Sequence, residues 1–157
     1  MIKLCVFSDS HGFAGNMIAA IEREKPALFF FLGDGERDLR TLHERFPELP
    51  YYAVRGNCDL RSALSSNLSC TVGGVSIFAA HGHLYNVKYE PSLETLFDAA
   101  REAGAALALF GHTHAARLES RSGITFLNPG TIGRTAHPSY AVLSVDNGRF
   151  TTELKKL

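Results

Sequence analysis

Apolar residues along this chain gather in short unbroken runs rather than long helical stripes. Ile2–Phe7 is a short β-prone run, and Ala27–Leu32 (ALFFFL) and Ala105–Phe110 (AALALF) are continuous apolar stretches of strand length. Continuous apolar character over so few residues marks strands covered on both faces. Asn16–Lys25 places Met17, Ile18 and Ile21 at helical spacing, and Pro26 stops that helix. A second helix is predicted over Asp38–Arg45, and YYAVRG, Tyr51–Gly56, reads as a third strand. Strand, helix, strand, helix, strand makes the front half α/β with a parallel sheet.

The back half changes character. Leu68–Ala80 reads as two strands joined across Gly73-Gly74, and Ser92–Gly104 as a helix with Pro91 before it and Gly104 as its C-terminal stop. Four more strands follow the buried AALALF run, separated by tight turns, Asn147-Gly148 being the clearest hairpin signal. Two mixed sheets packed face to face with helices outside fit this order, in one domain over residues 1–157.

Composition narrows the function classes. Lysine and arginine number 16, as do aspartate and glutamate, so the net charge is zero and no global basic field exists to hold nucleic acid or a membrane. Three scattered cysteines argue against a disulfide scaffold, and no apolar run approaches a membrane span, so the expected compartment is the cytoplasm. No residue pattern signals a dimer interface; a homodimer stays an open alternative.

The chemistry sits where the apolar runs stop. The runs end at Ser8-Asp9-Ser10-His11-Gly12, Gly33-Asp34, Gly56-Asn57-Cys58-Asp59, His81-Gly82-His83, Gly111-His112-Thr113-His114 and Asn128-Pro129-Gly130. Sites in open α/β folds lie beyond the carboxyl ends of strands, and five of the seven histidines fall in these clusters. Solvated histidines have no reason to recur there, and desolvating them without partners is costly. His43 and His137 lie outside the clusters. In Gly111–His114, the glycine is expected to allow the turn.

Oxygen and imidazole donors without paired thiolates exclude cysteine-type zinc and iron–sulfur sites. Asp9, His11, Asp34, Asn57, His81, His112 and His114 are too many ligands for one ion and suit two that share a bridge. Manganese, iron, zinc or nickel fit such mixed ligation. Two divalent ions, two carboxylates and a shared hydroxide leave one positive charge, which suits a singly charged phosphodiester. Ions about 3.5–4 Å apart serve direct in-line attack on phosphorus.

Asp9-Ser10-His11, Gly33-Asp34, Gly56–Asp59, His81–His83 and Gly111–His114, in that order, resemble the calcineurin-like metallophosphoesterase superfamily. The short length, the Gly56–Asp59 motif and the closing Asn128–Thr131 look most like its small bacterial and archaeal phosphodiesterase branch. The resemblance implies a four-layer α/β/β/α sandwich. It implies that Asp9, His11, Asp34 and His114 hold one divalent metal, and that Asp34 bridges to a second held by Asn57, His81 and His112. Manganese is the foremost choice, with nickel, zinc and iron(II) as others. The implied reaction is hydrolysis of a small phosphodiester by in-line attack of a hydroxide shared by the two ions.

This chain departs from the family pattern in two places. Cys58 stands where a histidine commonly serves the phosphate or leaving group, and His83 is expected to compensate in part. Arg37 stands where an aspartate is common, and Asp38 is a candidate either as acceptor for His11 or as a helix-capping residue, with Asp59 a stronger candidate for a supporting carboxylate. Arg37, Arg55, Arg61 and Arg134 are within chain reach of the rim. The rival readings are a phosphomonoesterase or nucleotidase, and a protein-interaction scaffold that keeps the fold without the chemistry.

Overall fold

In the computed structural model, which describes residues 1–157, ten strands sort into two five-stranded sheets. The first half of the chain runs β1 (Ile2–Phe7), α1 (Gly15–Glu24), β2 (Leu28–Phe31), α2 (Glu36–Arg45), β3 (Tyr51–Ala53), β4 (Asn67–Val72) and β5 (Val75–Ala80). A short 3₁₀ turn at His83–Tyr85 leads to α3 (Glu94–Glu102). Then come β6 (Leu107–Leu109), β7 (Arg117–Arg121), β8 (Ile124–Asn128), β9 (Ser139–Asp146) and β10 (Arg149–Lys156). One sheet has the order β10-β9-β1-β2-β3 and the other β4-β5-β6-β8-β7. In each, three neighbouring strands are parallel: β1, β2, β3 in the first and β5, β6, β8 in the second. The remaining pairings are antiparallel.

Alternation along the strands explains the layers. Leu4 and Val6 of β1, Phe30 of β2 and Leu143 and Val145 of β9 pack between the sheets against Ile77, Ala79, Leu107, Leu109 and Leu127. Their neighbours point the other way: Cys5, Phe7, Phe29 and Phe31 meet Met17, Ala20 and Ile21 of α1 and Leu39 and Leu42 of α2. On the far side Phe78, Ala108 and Phe126 meet Leu96 and Ala100 of α3. Both faces of each central strand are therefore apolar, which is why the runs read as continuous. The result is the expected α/β/β/α sandwich.

Two expectations change. The third strand is only three residues long, and Tyr51 and Tyr52 remain 38% and 37% exposed, because β3 is a sheet edge. Helix α2 begins at Glu36 rather than Asp38, since the Asp59 carboxylate accepts the backbone N–H groups of Gly35 and Glu36 at 2.9 and 3.0 Å. That cap for the start of α2 comes from the loop after β3, so the local pattern carries no sign of it. No helix is long and apolar enough to cross a membrane.

One buried ionic cluster ties α1 to the first sheet. Glu24, in the last turn of α1 where a helix end disfavours a negative charge, is 6% exposed. Lys3 and Lys155 approach it at 2.6 and 2.8 Å, and the Tyr140 hydroxyl donates to it at 2.9 Å. Burial opposes its charge, yet these donors outweigh burial and hold the carboxyl down at about 2. Its stabilisation is therefore full above the ordinary glutamate pKa and lost as pH falls through about 2. Glu24→Gln is expected to cost roughly 2 kcal/mol at neutral pH, because two cations keep no buried partner. Urea titrations of both proteins at several acid pH values check this; parallel acid-side declines would sink it.

Candidate metal centre

The loops after β1, β2, β5 and β6 meet at one rim. Asp9 Oδ1 lies 3.2 Å from His114 Nε2 and 3.5 Å from His11 Nε2. The two imidazole nitrogens are 3.1 Å apart. Asp34 Oδ2 lies 3.3 Å from His81 Nε2, which is 3.2 Å from His112 Nδ1. Three donor groups result: Asp9 with His11 and His114, Asp34 with His81 and His112, and between them His11 with Asp34 and Cys58, whose donor atoms within each group lie within 4.8 Å of one another.

A cation fits these donors. Asp9 is fully buried, and its Oδ1 has no hydrogen-bond partner, although Oδ2 accepts from the Ser8 hydroxyl and the His112 amide. An orphan carboxylate oxygen among imidazole nitrogens is costly unless positive charge stands there. His81 makes the same point. Its Nδ1 is 2.7 Å from the Leu32 carbonyl, which can only accept, so Nδ1 carries the proton and Nε2 is the atom turned to Asp34. Burial works against a charged His81, but the Asp34 hydrogen bond and the charges of Asp9 and Asp34 raise its pKa. The rim thus favours a positive charge at Nε2, which a proton or a metal ion can satisfy.

The neighbouring groups are tuned in step. Burial again opposes the Asp34 charge, but His81 and the Cys58 amide, which donates to Oδ1 at 2.8 Å, hold that carboxyl well below the carboxylate range. His112 is pushed down to about 4 by burial and by the charges of His81 and Lys88, so it is neutral and its nitrogen lone pair available at neutral pH.

The backbone at the rim is strained. Asp9, His11, Asp34, His112 and His114 all have left-handed φ, between 46° and 70°. Each costs on the order of 1 kcal/mol, and such strain clusters at functional sites. Gly111 is not one of the left-handed residues, which corrects the turn role expected of it. It is small because a Cβ there would collide with Ser8 Oγ and stand 2.8 Å from Asp9 Oδ2. The turn belongs to His112.

Supporting contacts hold the loops. Asp59 accepts four backbone N–H groups, from Asp34, Gly35, Glu36 and Gly56, as a supporting carboxylate should. Asp38 does not reach the His11 ring; it accepts from the Ser10 hydroxyl and the Gly12 amide, holding the His11 loop by its backbone. Asn128 is buried and donates to the Gly111 carbonyl and Thr113 Oγ1 while accepting from Gly130. Arg134 lies over the Phe13 ring.

The remaining candidates stand at the edge. Asn57 is exposed, its side-chain nitrogen 3.5 Å from Cys58 Sγ, and no hydrogen bond ties it to His81 or His112. The Cys58 thiol is pushed up by desolvation and by the Asp34 carboxylate. His83 is half-buried, with its ring 5.4 Å from that of His81 and its buried Nδ1 unpartnered. Burial and the His81 charge lower its pKa. Ser8 and Thr131 fall in motifs the sequence marks, but their contacts to Asp9 (the Thr131 hydroxyl donates to its carbonyl at 2.7 Å) and the Leu32 carbonyl's role escape a sequence reading. Arg40 escapes it too, though its spacing of three from Arg37 on α2 is a usable signal.

Back-to-back mixed sheets carrying paired histidine–carboxylate clusters at their strand ends define a phosphoesterase-type metal-site protein. A model of the calcineurin-like phosphoesterase superfamily domain matches residues 2–148, and the chain belongs to that superfamily. A probable metallophosphoesterase of Bacillus subtilis (strain 168), YsnB, is 32% identical over 155 residues, covering 96% of this chain and 88% of its own. The crystal structure of a predicted phosphoesterase from Streptococcus pneumoniae TIGR4 superposes with a TM-score of 0.81 at 28% identity, covering 99% of this chain and 89% of that one. Vps29 of Entamoeba histolytica, crystallised with zinc, shares the fold at a TM-score of 0.79 and 18% identity, covering 99% and 98%. Family and donor clusters together support a metal-dependent phosphoesterase-type enzyme.

Proposed function

We propose that this protein is a dinuclear metal-dependent phosphodiesterase of the small bacterial and archaeal kind, its one domain carrying the whole reaction. The observation that carries the reading is the orphaned Asp9 Oδ1 among three imidazole nitrogens, beside a second cluster around Asp34. Asp9, His11, Asp34 and His114 would hold one ion, and Asp34 with Asn57, His81 and His112 the other, manganese being the first choice. Two such ions supply an activated water and positive charge for the in-line transition state. The chain's own residues do the rest. Asp34 spans the clusters, Leu32 fixes the His81 tautomer, and Asp59 pins the two loops that present Asp34 and Asn57. A scaffold would gain nothing from five strained ligand positions, which weighs against the non-catalytic reading.

The test is a panel of aryl diesters, alkyl diesters and phosphomonoesters assayed with manganese, nickel and zinc in turn. Chelator-sensitive hydrolysis, fastest on aryl diesters, is expected; metal-loaded protein inactive on the whole panel overturns the proposal. His83 is proposed to assist departure of poor leaving groups where Cys58 cannot. His83→Ala should slow an alkyl diester about tenfold to a hundredfold and spare a nitrophenyl diester, whose leaving group needs no proton. Equal losses on both would remove that role.

A further inference from the structure

We propose that the cleft beside the metal centre is a subsite for a second anionic group of the substrate, a phosphate other than the one cleaved, held by Arg37, Arg40 and Arg61. The inference rests on the phosphodiesterase reading above and narrows its substrate class. It points to phosphodiesters in which one arm carries a further phosphate, as in a nucleoside phosphorylated at two positions.

The cleft has a volume of about 510 Å³ and starts at His11, Asp34 and Cys58. From there its lining passes to the first turn of α2 and to the segment after Asp59. Asp9, His81, His112 and His114 do not line it, so it lies to one side of the place where the scissile phosphate would meet both clusters. What it can receive is an arm of the substrate.

Charge decides which kind of arm. Three of the cleft's carboxylates are already engaged. Asp34 faces His81 and the Cys58 amide, Asp38 takes Ser10 and Gly12, and Asp59 takes four backbone amides. The same Asp59 contacts use up the N–H groups of Gly35 and Glu36, so the start of α2 has little left to offer an anion. The arginines are in the opposite condition. Arg37, Arg40 and Arg61 are exposed and make neither an ion pair nor a ring contact. Arg45, Arg101 and Arg117 pair with carboxylates and Arg121 and Arg134 lie over aromatic rings, while Arg23, Arg55 and Arg149 also lack such partners but do not line the cleft. Against these three free guanidinium groups the cleft sets one uncommitted acid, Glu36.

Placement completes the argument. Arg37 and Arg40, three apart on α2, share a helix face, and Arg61 comes from the other wall. Guanidinium groups on two walls suit a tetrahedral phosphate, whose oxygens accept paired N–H donors from more than one direction. Leu60, 84% exposed beside Arg61, adds apolar surface for the body of the same arm.

The experiment compares p-nitrophenyl thymidine phosphate with the same diester bearing a second phosphate on its sugar, so that scissile bond and leaving group are constant. The second phosphate is expected to lower KM about tenfold, with the advantage shrinking as ionic strength rises. The triple variant Arg37→Gln, Arg40→Gln, Arg61→Gln should bring the two KM values together. Calorimetry on the metal-free protein gives a readout apart from turnover: thymidine bisphosphate should bind tighter than thymidine monophosphate, and the triple variant should lose the difference. If neither diester is hydrolysed, the phosphodiesterase reading fails and calorimetry still decides the subsite. Equal KM values in the parent protein, or a preference that survives the triple substitution, overturn the subsite itself.

Discussion

Asp34→Asn is expected to reduce hydrolysis of an aryl phosphodiester about a thousandfold and to strip the protein of one metal ion. The magnitude is that of losing an electrostatic stabiliser aimed at the transition state, compounded by weaker ion binding. Asp34 is 3% exposed, and its two oxygens serve different neighbours. Oδ1 accepts from the Cys58 amide, while Oδ2 stands 3.3 Å from His81 Nε2 and 3.8 Å from His11 Nε2, one nitrogen from each cluster. Asparagine is chosen because it tolerates the left-handed φ of 61° at this position and can keep the contact to Cys58 through its carbonyl oxygen. Shape and backbone are then conserved, and only the charge and one donor oxygen are lost. Steady-state rates, metal content by mass spectrometry and circular dichroism are measured together. Retention of activity within tenfold, with the fold intact, would remove Asp34 from the centre of the mechanism.

The gathering of Asp9, His11, Asp34, His81, His112 and His114 at one rim is legible in the sequence because two signals coincide there. An apolar run such as Ala27–Leu32 announces a strand buried on both faces, and a polar cluster at its end announces a loop at the rim. The family pattern then joins clusters far apart in the chain. Illegible are contacts that depend on backbone atoms or on distant segments. The Leu32 carbonyl fixes His81 from 49 positions away, and a main-chain oxygen leaves no mark in composition. Asp59 sets the start of α2 from the next loop, so helix periodicity places that start two residues late. Sequence offers Asp38 as a partner of the His11 ring or as a helix cap and misses its contacts to Ser10 and the Gly12 amide, because a sequence does not say whether a carboxylate meets a side chain or the amides beside it. Tyr51 and Tyr52 mark a strand without saying that it is an edge, because aromatic β-formers look alike on an edge strand and a central one.

Gly56→Ala tests whether loop geometry, with every donor retained, is itself required. Gly56 has no left-handed φ, so alanine introduces no backbone strain of that kind. What it introduces is a methyl group that collides with Asp34 Oδ1 and stands 2.7 Å from the Asp34 backbone nitrogen. The carboxylate can swing, but the nitrogen cannot, since it donates to Asp59 at 2.8 Å, the same carboxylate that receives the Gly56 amide. The two loops must part, and the Cys58 amide moves away from Asp34 with them. A displacement of order 1 Å at a catalytic group costs about a hundredfold in rate, which is the loss expected here, with weakened binding of the second ion. Gly104→Ala provides the contrast. That position, beyond α3, has a φ of +69° and open space where a Cβ would stand, so the change should cost about 1 kcal/mol of stability and leave the rate unchanged. If the two variants lose activity equally after correction for the folded fraction, general destabilisation accounts for both. If only Gly56→Ala loses it, the close approach of the Asp34 and Asn57 loops is a requirement of the site.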